Sequence, residues 1–518
     1  MSQSTFVKST LVLTIATLLS KVIGSIFRIP LQNIAGDEVL GIFSLVYPVY
    51  MVALYLSVAG IPIAISKLIA EANSSKDTAK IKKIYVTARI LALSFGVISF
   101  TIIYGFSGQI ANALGGPSTE IALIIVALTL LVAPYMAVYR GFFQGFGDMR
   151  PTAISQVIEQ LVRVALILIV AYFLVAMDYS NDIVAGGIMA GSVLGALGSL
   201  VYLLYKYFRS SVKVTSKEKY SSKDFSTYSK TILKISIPIA IGSVTMALFN
   251  FVDSFTVTYG LRSAGADASE ISFLYGIYGR GLTLVQITTV FASSIILPLV
   301  PLITTKLAER KMDETRSIIE QTHRMTHLIS WPAAIGLLAL TLPLNLALFK
   351  DLEGSLMLAM INLSSVFTSL TLLGTGVLQG MNAAKTGALI ILSGVVLKVF
   401  ANIFFSQAFG LDGAAYATLL VYFVLFIVNT VFIYRMIRFT VLGKDTVKMI
   451  VSSIVMGAAV GLPTFWLDFT HWSRMWAMGY LTIAIIIGGA IYFLLLWLMK
   501  AIDKQDLKKI PVIGKRFS

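Results

Sequence analysis

Long apolar stretches of about 20 residues recur along the whole chain and are separated by short polar connections. An α-helix needs about 20 apolar residues to cross the roughly 30 Å hydrocarbon core of a bilayer. The pattern therefore predicts an all-α polytopic membrane protein with about fourteen transmembrane helices. The predicted spans are 9–32, 40–65, 85–106, 120–142, 153–177, 183–205, 231–259, 271–303, 325–348, 354–379, 386–408, 411–434, 447–467 and 475–499.

The composition strengthens this prediction and removes several classes of site. The 518 residues are 57% hydrophobic and 13% charged, with a mean hydropathy of +0.86, which a soluble domain of this length would not have. The absence of cysteine excludes disulfides, thiolate metal sites and a cysteine nucleophile. The three histidines lie near span ends, at His323, His327 and His471. A zinc centre or a buried histidine-based triad is therefore not expected.

The formal charge of +16 is distributed unevenly between the two sides of the predicted membrane. With the N-terminus inside, only Arg262, Lys350 and Arg474 fall in outer connections, and the 33 other basic residues outside the span interiors are on the inner side. This asymmetry follows the positive-inside rule and predicts that both termini are cytoplasmic. It also explains the basic connection 206–234 as a linker lying on anionic headgroups, so we expect no nucleic-acid partner.

Matching landmarks occur in the same order in spans 1–6 and in spans 7–12. In each half a proline precedes a lysine by five residues at the inner end of a span, a Gln-Gly pair follows, and a basic residue comes 18 positions after that glycine. The matching positions are Pro62 and Lys67 with Pro301 and Lys306, Gln144 and Gly145 with Gln379 and Gly380, and Arg163 with Lys398. Six spans per repeat give both halves the same orientation.

The repeat predicts two six-helix lobes around a central cavity, followed by two C-terminal helices. The first lobe is 1–208, a basic cytoplasmic linker occupies 209–230, and the second lobe is 231–438. Residues 439–518 contain spans 13 and 14 and a basic cytoplasmic tail.

Counting the basic residues near the inner ends of spans with the inner side, we assign five basic residues, with few acids near them in sequence, to the interior of predicted spans. They are Lys21, Arg28, Arg163, Arg280 and Lys398. A charged side chain at the bilayer centre costs about 2.5–3.5 kcal/mol on insertion scales, so each position is a hypothesis about function. The missing partner is expected to be an anionic substrate.

Lys21 and Arg28 are seven residues apart, which on a helix is two turns on one face, about 10 Å along the axis. The pair is predicted to line a cavity, with snorkelling to opposite interfaces as the alternative. Arg280 is flanked by Gly279 and Gly281, which would let a ligand approach its planar guanidinium. The alternative for Arg280 is a structural cap on a neighbouring helix.

Glu159 precedes Arg163 by one helical turn, so these two residues are predicted to form a structural ion pair. Lys398, the repeat counterpart of Arg163, has no acid near it in sequence and is predicted to be an accessory substrate residue. Asp253 could hold Na⁺ or a proton, with Asn382 as a further candidate for ion coupling, or it could pair with one of the cations. A cytoplasmic turn explains Asn382 equally well.

The chain resembles the MurJ and stage V sporulation protein B branch of the multidrug/oligosaccharidyl-lipid/polysaccharide exporter superfamily. The resemblance rests on Ser20–Gly41, with its basic-x-x-Gly element, second arginine and Gly-acid-acid turn, on Gly60–Glu71, and on FLYGIYGRG before and around Arg280. The order and spacing of these motifs cover essentially the whole chain. Lys21 replaces an arginine of that branch, and a second-span arginine is represented by Lys67.

The resemblance implies a flippase that moves an undecaprenyl-pyrophosphate-linked saccharide, such as lipid II, from the inner to the outer leaflet of a bacterial cytoplasmic membrane. It implies that Lys21, Arg28 and Arg280 engage the headgroup, with spans 13 and 14 forming a groove for the polyprenyl tail. It also implies a monomeric transporter in contact with membrane lipids, without an organic cofactor, and with Na⁺ or H⁺ coupling left open.

Two further hypotheses remain. A multidrug or organic-cation antiporter of the same superfamily would be expected to offer acids to its substrate, whereas cations outnumber acids inside the spans. A polyprenyl-linked glycosyltransferase or polymerase would need paired carboxylates on a large outer loop. The outer connections are short and their acids are scattered, so we expect a transporter and not an enzyme.

Overall fold

The computed structural model describes residues 3–210 and 218–501. Residues 211–217 of the predicted linker and the predicted tail after residue 501 lie outside the described residues. The described chain is helical almost throughout, as the apolar pattern predicts, and divides into two compact units at Gly279 and Arg280. The predicted all-α membrane fold is confirmed, while the predicted lobe boundaries remain a prediction.

The first unit contains ten helices of the described chain, and an eleventh helix crosses into the second unit. They are α1 Gln3–Ile26, α2 Arg28–Val58, α3 Ile61–Ser74, α4 Thr78–Gly105, α5 Ser107–Leu114, α6 Glu120–Ala127, α7 Thr129–Gly145, α8 Arg150–Ala176, α9 Asn181–Arg209, α10 Ser222–Ser263 and α11 Ala268–Ala308.

Six further helices follow in the second unit. They are α12 Met312–Ala339, α13 Thr341–Phe349, α14 Ser355–Gly380, α15 Ala384–Met436, α16 Lys444–Gly461 and α17 Arg474–Leu498. Short 3₁₀ turns occur at Pro117–Thr119, Leu462–Phe465 and Phe469–His471.

Nine helical segments of the described residues are long and apolar enough to cross a membrane, and up to eleven if two bent helix pairs are each counted as one span. Two of these segments are long enough for more than one crossing, Val12–Ser74 with 63 residues and Ala384–Met436 with 53. The latter would be about 80 Å long as a straight helix, and Gly410, with a φ of 58°, interrupts it. Each of the fourteen predicted spans consists mainly of helical residues, although several contain a break, as at Phe27, Leu128 and Leu340, and this is consistent with the predicted number.

A sharp change of direction at Gly36 shapes the start of the chain. Gly36 has φ 80° and ψ 177°, a conformation that essentially only glycine adopts. On a straight helix Arg28 and Phe43 would be about 22 Å apart, yet the Arg28 guanidinium lies 5.5 Å from the Phe43 ring centroid. The segment before Gly36 therefore folds back on the segment after it, and the Gly-acid-acid turn expected from the sequence is confirmed.

The two Gln-Gly landmarks have the same packing role within their respective units. A Cβ on Gly145 of α7 would lie 2.7 Å from Ile69 on α3, and one on Gly380 of α14 would lie 2.9 Å from Ile303 on α11. Each glycine thus lets its helix approach the helix that carries the Pro-x4-Lys element. This common arrangement supports the internal repeat predicted from the sequence.

The helix α17 has the character of a lipid-facing span. It exposes apolar side chains such as Ile483 and Ile486, which are 59% and 67% exposed. Trp476 and Trp497 stand near its two ends, also exposed, and 21 residues of helix separate them by about 32 Å. Tryptophans are enriched at both membrane interfaces, so this spacing matches one bilayer crossing.

Candidate functional site

The fold-back at Gly36 brings Arg28 to a second arginine through one tyrosine. The Arg28 guanidinium lies 5.9 Å from the ring centroid of Tyr47, and that of Arg163 on α8 lies 5.8 Å from the same ring. Arg163 Nη1 also donates a hydrogen bond to Tyr47 Oη, at 3.0 Å. We call Arg28, Tyr47 and Arg163 the paired-arginine site. Both arginines are half-buried, and among the described residues no carboxylate forms an ion pair with either.

The predicted Glu159–Arg163 ion pair is not what the structure contains. Glu159 Oε2 accepts a hydrogen bond at 2.7 Å from Arg140 Nη2 on α7. Arg140 also donates to Ser155 on α8 and Ser199 on α9. An i, i+4 pair on a single helix stabilises by only about 0.2–0.5 kcal/mol. The contact of Glu159 with Arg140 on the neighbouring helix is therefore favoured over the pair within α8, because the Arg140 guanidinium gains three acceptors there.

Lys21 lies on α1, which packs against α8. Its side chain is exposed in the described chain, and no described acid pairs with it. Three residues further on, a Cβ on Gly24 would lie 2.5 Å from Gln160 Nε2 and 3.4 Å from Arg163 Nη2. The glycine therefore lets the α1 backbone approach the polar side chains of α8. Among the described residues, none of Lys21, Arg28 and Arg163 forms an ion pair with a carboxylate.

Arg280 is placed differently from the cavity cation that the sequence suggests. It is fully buried and forms a bidentate ion pair with Asp351, with Nη1–Oδ1 and Nη2–Oδ2 distances of 2.6 and 2.8 Å. Nη1 also donates to Asn345 Oδ1 at 3.1 Å, and the guanidinium lies 5.2 Å from the Phe349 ring centroid. Asp351 follows α13, which is bent by 79° from α12. In this structure the charge of Arg280 is therefore neutralised from within its own unit.

Lys398 is also fully buried, and its Nζ makes a very short contact with Thr418 Oγ1. Both residues lie on α15, before and after the interruption at Gly410. The structure thus places Lys398 in a polar contact between two parts of one long helix. Its predicted accessory role toward a substrate remains a prediction.

Asp253 on α10 is buried and accepts a hydrogen bond of 3.0 Å from Tyr278 Oη on α11. Asn382 lies in the turn between α14 and α15, is exposed, and has a φ of 60°, a left-handed conformation that asparagine tolerates well. The turn alone thus accounts for Asn382. Among the described residues no group of three or more His, Asp or Glu side chains could hold a metal ion, and the Na⁺ prediction for Asp253 remains untested.

The repeat landmark Lys306 has a structural role at the inner connection between α11 and α12. Its Nζ lies 2.8 Å from Glu314 and 3.4 Å from Glu309. The hydrogen bond that Lys306 donates to Glu314 raises the pKa of Lys306 above its usual value, so this lysine stays charged at neutral pH. Lys306 is therefore bound within the connection.

An apolar groove in the second unit runs between α12, α16 and α17. Its volume is about 530 Å³. Nearly all of its lining is apolar, including Met325, Pro332, Leu337, Val460 and Ile485. Such a groove can take a hydrocarbon chain but offers little to a charged headgroup.

Sequence reasoning missed three residues that decide the electrostatics of these sites. Tyr47 joins Arg28 to Arg163, Arg140 takes Glu159, and Asp351 neutralises Arg280. Tyr47 is uncharged, so a search for charged residues within spans did not select it. Arg140 lies near the inner end of its predicted span and was therefore assigned to the inner side. Asp351 is 71 positions from Arg280, so no local pattern could connect them.

The long apolar helices are those of a polytopic membrane protein, and comparison with known proteins gives its family. Residues 6–306 match the family described as polysaccharide biosynthesis protein, and the chain belongs to this family. The chain is 28% identical to the lipid II flippase MurJ of Bacillus subtilis, with 94% of each chain covered. It is 24% identical to stage V sporulation protein B of the same organism, with 99% of each covered. It is 29% identical to the uncharacterized membrane protein YabM, covering 97% of this chain and 94% of YabM.

Solved structures show the same fold at lower sequence identity. A lipid II flippase MurJ in an inward closed conformation superposes with a TM-score of 0.68 at 17% identity, covering 94% of this chain and 98% of that one. An inward-facing multidrug resistance MATE family transporter superposes with a TM-score of 0.64 at 17% identity, covering 80% and 94%. The predicted resemblance to the exporter superfamily is confirmed.

Proposed function

We propose that this protein is a flippase for an undecaprenyl-pyrophosphate-linked saccharide, with lipid II as the first candidate. The observation that carries the proposal is the paired-arginine site, where two guanidinium groups meet at Tyr47 and no described carboxylate pairs with them. Guanidinium groups bind phosphate oxygens through charge-assisted, often bidentate hydrogen bonds. A pyrophosphate supplies negative charge to both arginines, and Lys21 adds a third positive charge on the adjacent helix.

The groove between α12, α16 and α17 supports a substrate with a long apolar tail. A polyprenyl chain that stays in lipid while its headgroup moves needs an apolar surface on the transporter. Phenylalanine in place of Gly336, which lines the groove and has only Met456 near its Cβ position, would fill this space. We expect weaker binding of long-chain substrates with little change for short-chain analogues. Gly479→Phe, at a position with open space around its Cβ, is the matched control.

In the proposed cycle the headgroup enters from the cytoplasmic leaflet, the two lobes rock, and the headgroup is released outside. Arg280 could join the headgroup contacts only by exchanging Asp351 for a phosphate, so we assign it a later step than Arg28. Asp253 remains a proposed site of Na⁺ or H⁺ coupling, since a buried carboxylate responds to either ion. The protein would act as a monomer in the cytoplasmic membrane, with both termini inside.

Two other activities were considered for this chain, and the charge of the paired-arginine site distinguishes one of them from the proposed function. Another lipid-linked polysaccharide would use the same pyrophosphate contacts, because only the sugar differs. A multidrug or organic-cation antiporter would bring a cation toward two arginines, which Coulomb repulsion disfavours most strongly where water is scarce. The electrostatics of this site therefore favour an anionic lipid substrate.

The experiment uses the purified full-length protein in sealed vesicles that contain fluorescent lipid II in the inner leaflet. Exposure of the headgroup is read by a reagent added outside, and parallel vesicles test uptake of a cationic dye. Transfer of lipid II without dye transport supports the proposal. Dye transport without headgroup transfer would establish the antiporter instead. Transfer of other pyrophosphate-linked sugars but not of lipid II would retain the flippase and change its substrate.

A further inference from the structure

We infer that Arg163 is a substrate-binding residue that, together with Arg28, selects a pyrophosphate over a monophosphate. This inference rests on the proposed function and assigns to Arg163 a role that the i, i+4 spacing with Glu159 had concealed. Three conditions must hold. Arg163 must be held in place without an ion pair to a carboxylate, and Arg28 must lie close to it. Hydrogen-bond donors around the two arginines must also lack acceptors within the protein.

Glu159 forms its ion pair with Arg140 and not with Arg163, although its charge still acts on Arg163 at longer range. Glu159 lies 2.7 Å from Arg140, which is further held by Ser155 and Ser199. Arg163 instead donates to Tyr47 Oη, a neutral acceptor that fixes the position of the guanidinium without forming an ion pair with it. A neutral anchor of this kind is suited to a ligand-binding arginine, since the ligand need not displace a carboxylate.

Arg28 approaches the same tyrosine from the fold-back at Gly36. Its guanidinium packs against the stacked rings of Phe43 and Tyr47, whose centroids are 5.2 Å apart. The guanidinium groups of Arg28 and Arg163 each lie within 6 Å of the centroid of the Tyr47 ring, at 5.9 and 5.8 Å. Holding two like charges together costs free energy that an anion between them would recover. A pyrophosphate, with one phosphate for each guanidinium, matches this arrangement better than a single phosphate.

Three buried donor nitrogens at this place have no hydrogen-bond acceptor in the described structure. They are Arg28 Nε, Arg163 Nε and Gln160 Nε2. Gln160 is only 7% exposed, and its Nε2 lies with Arg163 Nη2 against Gly24. Buried donors are nearly always satisfied in folded proteins, and each unsatisfied one needs an explanation. A ligand rich in phosphate oxygens would provide the missing acceptors.

The test measures binding of two probes that share one tail. The full-length protein in lipid nanodiscs is titrated with undecaprenyl pyrophosphate and with undecaprenyl monophosphate. For the wild type we expect tighter binding of the pyrophosphate. Loss of a hydrogen-bonded charge contact should weaken pyrophosphate binding by roughly ten- to a hundredfold in Arg163→Gln. Monophosphate binding should change little, so that the preference between the probes collapses.

Arg89→Gln is the matched control, because Arg89 also lies against tyrosines in the same unit, with its guanidinium 5.5 and 5.1 Å from the rings of Tyr85 and Tyr135. It should leave both affinities unchanged. Arg163→Lys, which keeps the charge without the planar fork, should fall between wild type and Arg163→Gln. If Arg163→Gln does not fold, Tyr47→Phe removes the hydroxyl that holds Arg163 and should reduce the preference in the same direction.

Each outcome decides a different claim. A wild type that prefers the pyrophosphate, with an unchanged preference in Arg163→Gln or in its substitute Tyr47→Phe, overturns the role of Arg163 and leaves the proposed function standing. An equal loss of both probes indicates a structural role only and overturns it too. If the wild type itself binds neither probe, the proposed function fails.

Discussion

Gly36→Ala tests whether the fold-back at Gly36 builds the paired-arginine site. The backbone at this position, φ 80° and ψ 177°, lies in a region that costs a non-glycine residue on the order of 1–3 kcal/mol. A Cβ at Gly36 would meet no atom within 4 Å, so crowding adds nothing to that cost. Either the chain keeps its turn and loses about this much stability, or it relaxes and carries Arg28 away from Tyr47.

Both responses can be measured on one purified sample. Unfolding in detergent reports stability, and titration with undecaprenyl pyrophosphate reports the site. Gly105→Ala is the control, because its Cβ also meets open space and its glycine ends a helix without a left-handed backbone. The control should be neutral or slightly stabilising. A Gly36→Ala protein that matches Gly105→Ala in stability and wild type in affinity would refute the reasoning.

Two further substitutions test the packing of the individual units. Asp351→Asn leaves the fully buried Arg280 without its carboxylate, so we expect the free energy of unfolding to fall by about 1–3 kcal/mol, less than the roughly 3–5 kcal/mol of a fully buried pair because Asp351 is partly exposed. The control is Asp313→Asn, in an exposed ion pair, which should change the unfolding midpoint little. Equal effects of the two substitutions would contradict the role of the buried pair. Gly41→Ala would place a Cβ 1.7 Å from a backbone oxygen of α11, so we expect destabilisation by about 1–3 kcal/mol or more. Gly479→Ala, at a position with open space around its Cβ, should be tolerated. A Gly41→Ala protein as stable as the wild type would show that the two helices do not approach this closely.

The sequence was sufficient for those features that depend on local pattern. Apolar runs of membrane length predicted the helices, and the family resemblance of the stretch Ser20–Gly41 predicted the turn at Gly36. Arg28 and Lys21 could be singled out because charge is costly within a span whatever the fold around it. Each of these inferences needs only a short stretch of chain.

The partners of the charged residues could not be predicted in the same way. Spacing paired Glu159 with Arg163, but in the fold Arg140 of α7 binds Glu159 and also contacts two serines. Arg280 looked available because Asp351 is remote in sequence and reaches it only through the bend between α12 and α13. Which acidic residue pairs with which basic residue depends on the tertiary structure. A basic residue with no acid near it in sequence can therefore still form an ion pair in the folded protein.

Translocation by Arg28→Gln protein tests the central claim most directly. Wild type, Arg28→Gln and Arg89→Gln proteins are reconstituted at equal density into vesicles, and the rate at which lipid II headgroups appear outside is measured. The account predicts transfer by the wild type and by Arg89→Gln, with transfer lost in a folded Arg28→Gln protein. Transfer by Arg28→Gln at the wild-type rate would contradict it.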